Sequence, residues 1–368
     1  MTNTLLAGVR ILDLSRLLPG PFCTLYLAQL GAEVIKIEEP QGGDYARTMS
    51  PDLFALVNRG KKSVTLDLRK PQDVAHFHAL VKNAEVVLES FRPGVMDKLG
   101  CGYETLKKIN PKLVYAALTG YGQTGPYRDR AGHDMNYLGY AGVLDQSGPA
   151  GGAPTQSNLQ VADLAGGALT CAIGILSAVI GARASGEGAF VDVGMMDGSL
   201  ALQVLSFASI RTLGHSLPRG TDMLSGALPN YAHYECADGK FIALGALEFK
   251  FWSNFCVAVN RPDLLKMPIA PGKPGDATRA EVAALFKTRT RDEWEMLLLD
   301  KDACATAILT PDEVLGNAQV QARGLIETVG GKPAPSMPIR FPGIDLAPAS
   351  AAPRLGADTE AVLKLLAS

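Results

Sequence analysis

Two polar positions in the middle of the chain carry the side-chain types that proton-transfer chemistry needs. The run Gly132-His133-Asp134-Met135-Asn136-Tyr137 places an imidazole next to a carboxylate, and Asp163 stands immediately before a long uncharged stretch. A lone histidine is more often structural, and an aspartate at such a place is most often the N-cap of a helix. The same place also sets a carboxylate beside unpaired backbone N–H groups at the positive end of a helix. Those donors would stabilise an oxyanion while the carboxylate exchanges a proton.

Basic residues gather in two short loops, and the chemistry that they favour is phosphate binding. Asn58-Arg59-Gly60-Lys61-Lys62-Ser63 separates two expected strands, and Phe91-Arg92-Pro93-Gly94 directly follows another, with Lys98 further on. Guanidinium and ammonium groups suit phosphate oxygens, and Phe91 is able to stack on a base. A solvated basic rim explains the same composition equally well, so both interpretations stay open at this point.

Several other chemistries lack their sequence signatures. No GxGxxG follows the first expected strand, and GxxxxGK[ST], HExxH and GxSxG are absent, which argues against dinucleotide, P-loop, zinc-protease and serine-hydrolase sites. The six cysteines are scattered without a CxxC pair, so we expect reduced thiols and no metal site. A formal net charge of −2 provides no overall attraction to nucleic acid or to an anionic membrane.

Short β-branched runs that alternate with amphipathic stretches predict the elements that position these groups. Strands are expected over 9–14, 33–37, 63–68, 85–88, 113–117 and 189–193, with helices over 22–30, 71–82, 103–109 and about 195–213. Strands separated by helices require right-handed crossovers, so we predict an α/β fold with a doubly wound, Rossmann-like parallel sheet. Such a sheet binds ligands in the loops beyond the carboxyl ends of its strands.

The length of 368 residues exceeds that of a typical single core and predicts two domains. Residues 1–200, completed by 330–368, are expected to form the large domain, 201–228 a linker, 229–318 a smaller α+β domain and 319–330 a second linker. Within the small domain, 231–245 predicts a hairpin that turns at Asp238-Gly239. The proline-rich stretch 330–353, which includes Pro348, is expected to run extended across a surface.

One segment imitates a membrane span. Leu164 to Ala182 carries no charge and has nearly the required length, but its glycines and alanines favour a buried helix in close contact with its neighbours. The N-terminal residues show no signal-peptide pattern, and the last residues are not a Ser-Lys-Leu tail. We therefore predict a soluble, cytoplasmic protein that binds neither membrane nor nucleic acid.

The order and spacing of several short motifs resemble those of the family III CoA-transferase (CaiB/BaiF) superfamily. These motifs are Leu18-Pro19-Gly20-Pro21-Phe22, Gly31-Ala32-Glu33-Val34-Ile35-Lys36, Arg59-Gly60-Lys61-Lys62-Ser63, Phe91-Arg92-Pro93-Gly94-Val95 and Thr119-Gly120-Tyr121-Gly122-Gln123-Thr124-Gly125-Pro126. The run 132–137, Ala162-Asp163 and Tyr234-Glu235-Cys236-Ala237-Asp238-Gly239 are similar to the α-methylacyl-CoA racemase branch. The resemblance extends from about Gly8 to the C-terminus and is strongest before residue 250.

The resemblance implies a role for each acid or base. In transferases an aspartate matched by Asp163 forms an acyl anhydride and then carries CoA, whereas in racemases it is an acid/base. Racemases add a histidine and a glutamate, matched by His133 and Glu248; transferases typically have a glycine-rich loop near the latter. His133 and Asp163 would then act on opposite faces of a carbon, Glu248 would orient the imidazole, and Asp134 would assist.

The implied reaction interconverts (R)- and (S)-2-methylacyl-CoA thioesters through an enolate. The alternatives are CoA transfer between carboxylic acids through Asp163 and, in a different class, a non-catalytic CoA-binding partner. The last would require His133 and Asp163 to be buried and apart. Neither metal nor flavin is expected, because CoA is itself part of the substrate.

The resemblance also implies the CoA contacts and the assembly. Residues expected to contact CoA are Arg59, Lys62, Leu66, Asp67, Leu68, Ser90, Phe91, Arg92, Lys98, Gly132, Asn136 and Tyr137. Glu39 stands where racemases tend to carry arginine, so Lys36 or Arg47 is expected to supply that phosphate contact. Relatives are interlocked homodimers whose active sites are shared between subunits, and the same assembly is expected here.

Overall fold

The computed structural model describes residues 5–344, 346 and 350–366, so Pro348 of the proline-rich stretch lies outside the described residues. By contacts the chain divides into two compact units. The first contains the described residues up to Val143, then Ser157–Gln203 and those from Gly324 onward; the second contains Leu144–Gln156 and Val204–Arg323. The sequence prediction had assigned 144–156 to the large domain and 324–329 to a linker.

A parallel sheet forms the centre of the first unit. Its strands are β1 (Arg10–Asp13), β2 (Glu33–Glu38), β3 (Lys62–Thr65), β4 (Val86–Glu89), β5 (Val114–Thr119) and β6 (Phe190–Gly194). Within the described residues the order is β3-β2-β1-β4-β5-β6, with every neighbouring pair parallel. The predicted α/β doubly wound sheet is therefore confirmed. The strand order reverses between β1 and β4, and a ligand crevice is expected beyond the carboxyl ends of strands at such a point.

Three further strands make an antiparallel sheet in the second unit, and two more pair near the end of the chain. These are β7 (Tyr231–Glu235), β8 (Phe241–Gly245) and β9 (Ala305–Ala307), and then β10 (Ile326–Val329) and β11 (Lys332–Pro335). The pair β7–β8 is the predicted hairpin. The end of the predicted linker 319–330 and the start of the proline-rich stretch 330–353 together form a second hairpin, over 326–335.

Helices cover both units. In chain order they are α1 (Pro19–Gln29), α2 (Ala46–Met49), α3 (Pro51–Asn58), α4 (Pro71–Val81), α5 (Val95–Lys98), α6 (Tyr103–Ile109), α7 (Asp134–Tyr140), α8 (Thr170–Ser185), α9 (Met195–Ala201), α10 (Val204–Leu213), α11 (Phe249–Ala258), α12 (Lys273–Phe286), α13 (Arg291–Leu298), α14 (Pro311–Val314), α15 (Ala318–Ala322) and α16 (Thr359–Lys364). A π-helical segment, Ala162–Leu169, runs directly into α8, and short 3₁₀ turns cover Met223–Ser225 and Pro262–Lys266.

The apolar helix predicted to be buried is buried on one face only. Together with the π-helical segment, α8 forms 24 residues whose length and composition would suffice to cross a membrane, and 39% of the most apolar window is buried. Ile175 and Val179 face the core, whereas Ile173 and Ile180 are 66% and 71% exposed. The sequence prediction is therefore wrong for the outer face.

A buried ionic cluster holds the loop that follows β1. Asp13 ends β1 with its side chain fully buried, and Lys61 donates to it at 3.2 Å. Burial opposes ionisation of Asp13, but the ammonium groups of Lys61 and Lys36 outweigh it and hold its pKa at about 2. Lys36 is itself buried and pairs with Asp44 at 2.9 Å. Loss of one partner would leave an uncompensated buried charge, at a cost of about 3–5 kcal/mol, so the members of this cluster depend on one another.

Candidate active site

A cavity of about 570 Å³ opens at the carboxyl edge of the parallel sheet. Its wall consists of the loops after β1, β4 and β5, the beginning of α7 and part of the π-helical segment. The predicted site residues that line it are Ser90, Phe91, Arg92, Gly132, His133, Asn136, Tyr137 and Asp163. The crevice at the reversal of the strand order thus collects half of the site residues that the sequence predicted.

Asp163 lies within the first turn of the π-helical segment, whose N-cap is Val161. The backbone N–H groups of Ala162 and Asp163 donate to Oδ1 of Asp134 at 2.7 and 3.0 Å. Asp134 therefore caps this helix from 28 residues away in the sequence. The interpretation of Asp163 as an N-cap is wrong, and so is the expectation that both N–H groups are free to stabilise an oxyanion.

The environment of Asp163 changes its acidity. Burial, and second the charge of Asp134, raise the pKa of Asp163 to about 7. Removal from water disfavours the charged carboxylate, and a neighbouring carboxylate does so again. Because general acid/base catalysis is most efficient when the pKa lies near the working pH, this carboxyl group suits proton transfer in either direction.

His133 is the N-cap residue of α7, on the wall of the same cavity. Its backbone N–H donates to Oδ1 of Asn136 at 3.0 Å, and its carbonyl accepts from the N–H of Asn136 at 2.8 Å. This reciprocal pair fixes the backbone from which the imidazole projects. His133 and Asp163 line the same cavity. The non-catalytic interpretation required them to be buried and apart, and that condition is not met.

Tyr137 packs beneath this part of the cavity. Its hydroxyl donates to the carbonyl of Gly132, and burial, with the nearby charge of Asp163, raises its pKa to about 12. A Cβ atom at Gly120 would lie 2.4 Å from the Tyr137 ring, so only glycine admits the ring at this distance. The tyrosine thus stays a neutral donor and supports the loop that ends at His133.

The comparison with known protein families decides the identity of the fold. The family described as CoA-transferase family III matches residues 6–359. The chain belongs to CoA-transferase family III.

Members with different activities resemble this family III chain. Human alpha-methylacyl-CoA racemase is 37% identical over 340 residues, which cover 90% of this chain and 86% of the relative. Mouse succinyl-CoA:glutarate CoA-transferase is 30% identical over 376 residues, with 98% and 86% covered. A crystal structure of a CAIB/BAIF family protein from Brucella suis has a TM-score of 0.88 at 32% identity and covers 99% of this chain and 100% of that chain.

A second cavity, of about 310 Å³, shares Arg16 and Phe91 with the first. It is lined by Leu66, Asp67 and Leu68, which follow β3 and whose contact with CoA stays a prediction. The Arg16 guanidinium carbon lies 4.8 Å from the centroid of the Phe91 ring, within cation–π distance. Two cavities joined by an aromatic and a cationic side chain suit the acyl-CoA ligand that family III implies.

Arg59 and Lys62, two cations that were predicted to contact CoA, lie in the first unit but line neither cavity. The side chain of Arg59 is only 4% exposed and is held by Glu327 at 3.2 Å and by the carbonyl of Pro335 at 2.6 Å. Lys62 begins β3, where it pairs with Glu33, the first residue of β2, at 2.5 Å. The amino ends of parallel strands lie at the edge opposite the cavity, so Lys62 does not line it. The guanidinium of Arg59 is buried among internal partners and lines neither cavity.

The residues expected to compensate for Glu39 are also engaged. Lys36 is buried in the ionic cluster with Asp44, and Arg47 pairs with Glu38 at 2.7 Å. Glu39 itself lines the second cavity. Both cations are therefore already paired with carboxylates of the same unit.

Arg16 supplies a cation at the second cavity, and it is not among the residues predicted from the sequence. It follows β1 as directly as Arg92 follows β4, and it lines both cavities. The rule that drew attention to Arg92, a basic residue just beyond the carboxyl end of a strand, was sufficient to find it. Lys98, by contrast, is exposed at the end of α5 and lines neither cavity.

The charge of the first cavity favours an anionic ligand. Arg16, Arg92, Arg128 and Arg130 line it together with Asp163. In the part of the chain that the structure describes, no group of three or more His, Cys, Asp or Glu side chains could hold a metal ion. Guanidinium groups bind phosphate and carboxylate oxygens with paired hydrogen bonds.

Glu248 belongs to the second unit. It is the N-cap residue of α11, and its side chain is exposed. The predicted partnership of Glu248 with His133 stays a prediction and forms part of the proposal below.

Proposed function

We propose that this family III chain interconverts (R)- and (S)-2-methylacyl-CoA thioesters by two-base proton transfer. The observation that carries the proposal is that an imidazole, His133, and a carboxyl group with a pKa near 7, Asp163, line one cavity. Inversion of a carbon requires one proton-transfer group on each face, with opposite protonation states in the two directions. The 37% identity to a human racemase supports the same activity.

In the proposed reaction, one of the two groups removes the α-proton and the other returns a proton to the opposite face. A thioester α-proton is far less acidic than an imidazolium or a carboxylic acid, so preorganised donors must stabilise the enolate, each worth about 10²–10³ in rate. Asp134 acts as a positioning residue, because it holds the backbone of Asp163 and raises its pKa. The proposal assigns to Glu248 the orientation of the imidazole, and it requires neither metal nor flavin.

The test is incubation of a single enantiomer of a 2-methylacyl-CoA in D₂O. The proposal expects a mass gain at Cα together with loss of stereochemistry. His133→Ala and Asp163→Ala should each nearly abolish racemisation while CoA binding persists, and each should retain deuterium exchange from one enantiomer only. Lys98→Ala, outside both cavities, is the matched control. Full racemisation in either active-site variant would remove the two-base mechanism.

CoA transfer between carboxylic acids is the second candidate. Mouse succinyl-CoA:glutarate CoA-transferase is 30% identical to the chain, which favours this activity as well. Asp163 would then attack the thioester as a carboxylate and form an acyl anhydride, which releases the CoA thiolate. An added carboxylic acid distinguishes the two reactions, because only the transferase places CoA on it.

We further propose that the chain works as an interlocked homodimer. Helix α10 has no buried residue, although it presents Val204, Leu205 and Phe207 at 68%, 55% and 47% exposure. Exposed apolar surface of this kind marks a protein interface. If the site is shared, co-expression of Glu248→Ala with His133→Ala should give heterodimers with one intact site, whereas mixing the two purified homodimers should not. An active monomer in sedimentation, or no rescue on co-expression, would contradict the shared site.

A further inference from the structure

Two arginines of the first cavity lie in the loop between β5 and α7, beside a stack of tyrosines. Arg128 and Arg130 both line the cavity. The rings of Tyr127 and Tyr140 stack at 5.0 Å between centroids, with 19° between their planes. The guanidinium carbon of Arg130 lies 4.7 Å from the centroid of Tyr127, and its Nη1 donates to the hydroxyl of Tyr140 at 2.5 Å.

These contacts hold the Arg130 guanidinium in one place and leave its charge available to an anionic ligand. A guanidinium presents five N–H donors, and the contact with Tyr140 uses one of them. Within the described part of the chain no carboxylate pairs with Arg130, whereas Arg128 pairs with Asp129 at 3.6 Å. A guanidinium held on an aromatic face loses little conformational entropy when it binds a carboxylate with paired hydrogen bonds.

The strand order indicates which end of a CoA thioester would face Arg130. The second cavity lies at the ends of β3, β2 and β1, whereas Arg130 follows β5, which lies beyond β4. His133, only three residues after Arg130, lines the cavity together with Asp163. A nucleotide placed in the second cavity, with the thioester near His133 and Asp163, would direct the acyl group toward Arg130.

We propose that Arg130 is a specificity-determining residue that binds a carboxylate at the far end of the acyl group. The substrates would then be CoA thioesters of dicarboxylic acids. Tyr127 and Tyr140 position the guanidinium, and neither needs to touch the reacting carbon. This inference rests on the proposed function, since it assumes that the reacting carbon lies between His133 and Asp163.

The test compares two thioesters of the same shape and different charge. One is 2-methylsuccinyl-CoA with the thioester beside the methyl-bearing carbon, and the other is 2,4-dimethylpentanoyl-CoA, in which an isopropyl group replaces the carboxylate group. Calorimetry measures both dissociation constants, and exchange in D₂O measures turnover. The wild-type protein should bind the charged thioester at least about tenfold more tightly. Arg130→Gln should abolish this preference and leave the dissociation constant of the neutral thioester nearly unchanged.

Three further variants sharpen the test. Arg130→Lys should restore part of the preference, because an ammonium binds without the paired geometry. Tyr140→Phe should reduce the preference, because it removes the acceptor that orients Arg130. Lys98→Gln, which removes a cation outside both cavities, is the control that should preserve it.

If Arg130→Gln raised the dissociation constants of both thioesters equally, the proposal would be overturned and Arg130 would be assigned to the phosphates of CoA. If it changed neither dissociation constant, the proposal would be overturned as well. A binding preference without deuterium exchange in either thioester would instead contradict the proposed racemisation while the carboxylate contact stands.

Discussion

Replacement of Asp163 by asparagine should stabilise the protein above neutral pH while it abolishes racemisation. Asparagine removes the ionisable group at nearly constant volume. The pKa of Asp163 is raised from 3.8 to about 7, chiefly by burial, so the folded state binds its proton more tightly than the unfolded state does. The free energy of unfolding therefore falls as the pH rises from about 4 to about 7, and the full cost is present above that range.

The size of this effect on the free energy of unfolding follows from the shift in the pKa of Asp163. Three pKa units at about 1.4 kcal/mol each give a cost of about 4 kcal/mol at pH 8. At pH 5, where the carboxyl would ionise mainly in the unfolded state, the same linkage gives about 2 kcal/mol. Asp163→Asn should recover both amounts, so its stabilisation should be about 2 kcal/mol larger at pH 8 than at pH 5.

Urea unfolding of the wild type and of Asp163→Asn at the two pH values measures this difference. Asp129→Asn, which removes a carboxylate whose side chain is 76% exposed, is the matched control and should show the same stability change at both. An equal effect of Asp163→Asn at pH 5 and pH 8, or a loss of stability at pH 8, would refute the argument that burial of Asp163 is costly. Stability gained with activity lost is the expected signature of a strained functional group.

Three further outcomes are expected from the same geometry. Arg92→Ala should raise KM for a full CoA thioester more than for a truncated pantetheine thioester, whereas Lys62→Ala, at the opposite edge of the sheet, should change neither. Asp134→Asn keeps an oxygen that accepts from the two backbone N–H groups but removes the charge that helps to raise the pKa of Asp163. In the direction in which Asp163 is the base, the acidic limb of the pH–rate profile should therefore move to lower pH. Gly198→Ala should lower the urea concentration at which the protein unfolds, because the added Cβ would lie 1.9 Å from a carbonyl oxygen of the π-helical segment. Circular dichroism measures this midpoint.

The sequence by itself determined the parallel sheet and the two groups proposed as acid and base. The strands and helices of the first 120 residues could be predicted because their apolar residues follow the local periods of these elements. His133 and Asp163 stood out because each lies in a distinctive local run, and Arg92 because it directly follows a strand. Each of these signals is contained in a few consecutive residues.

Only the tertiary structure decided which polar groups are available to a ligand. Arg59 belongs to a basic run, yet it is buried against Pro335, 276 residues later in the chain. The local sequence suggests that Asp163 is an N-cap. In the structure, Asp134, 29 residues earlier, accepts a hydrogen bond from the backbone N–H of Asp163 and raises the pKa of the Asp163 carboxyl. Lys62 differs from Arg92 by lying at the amino end of its strand. Burial, pairing and the edge of the sheet depend on contacts between distant segments, and a local pattern of residues does not encode them.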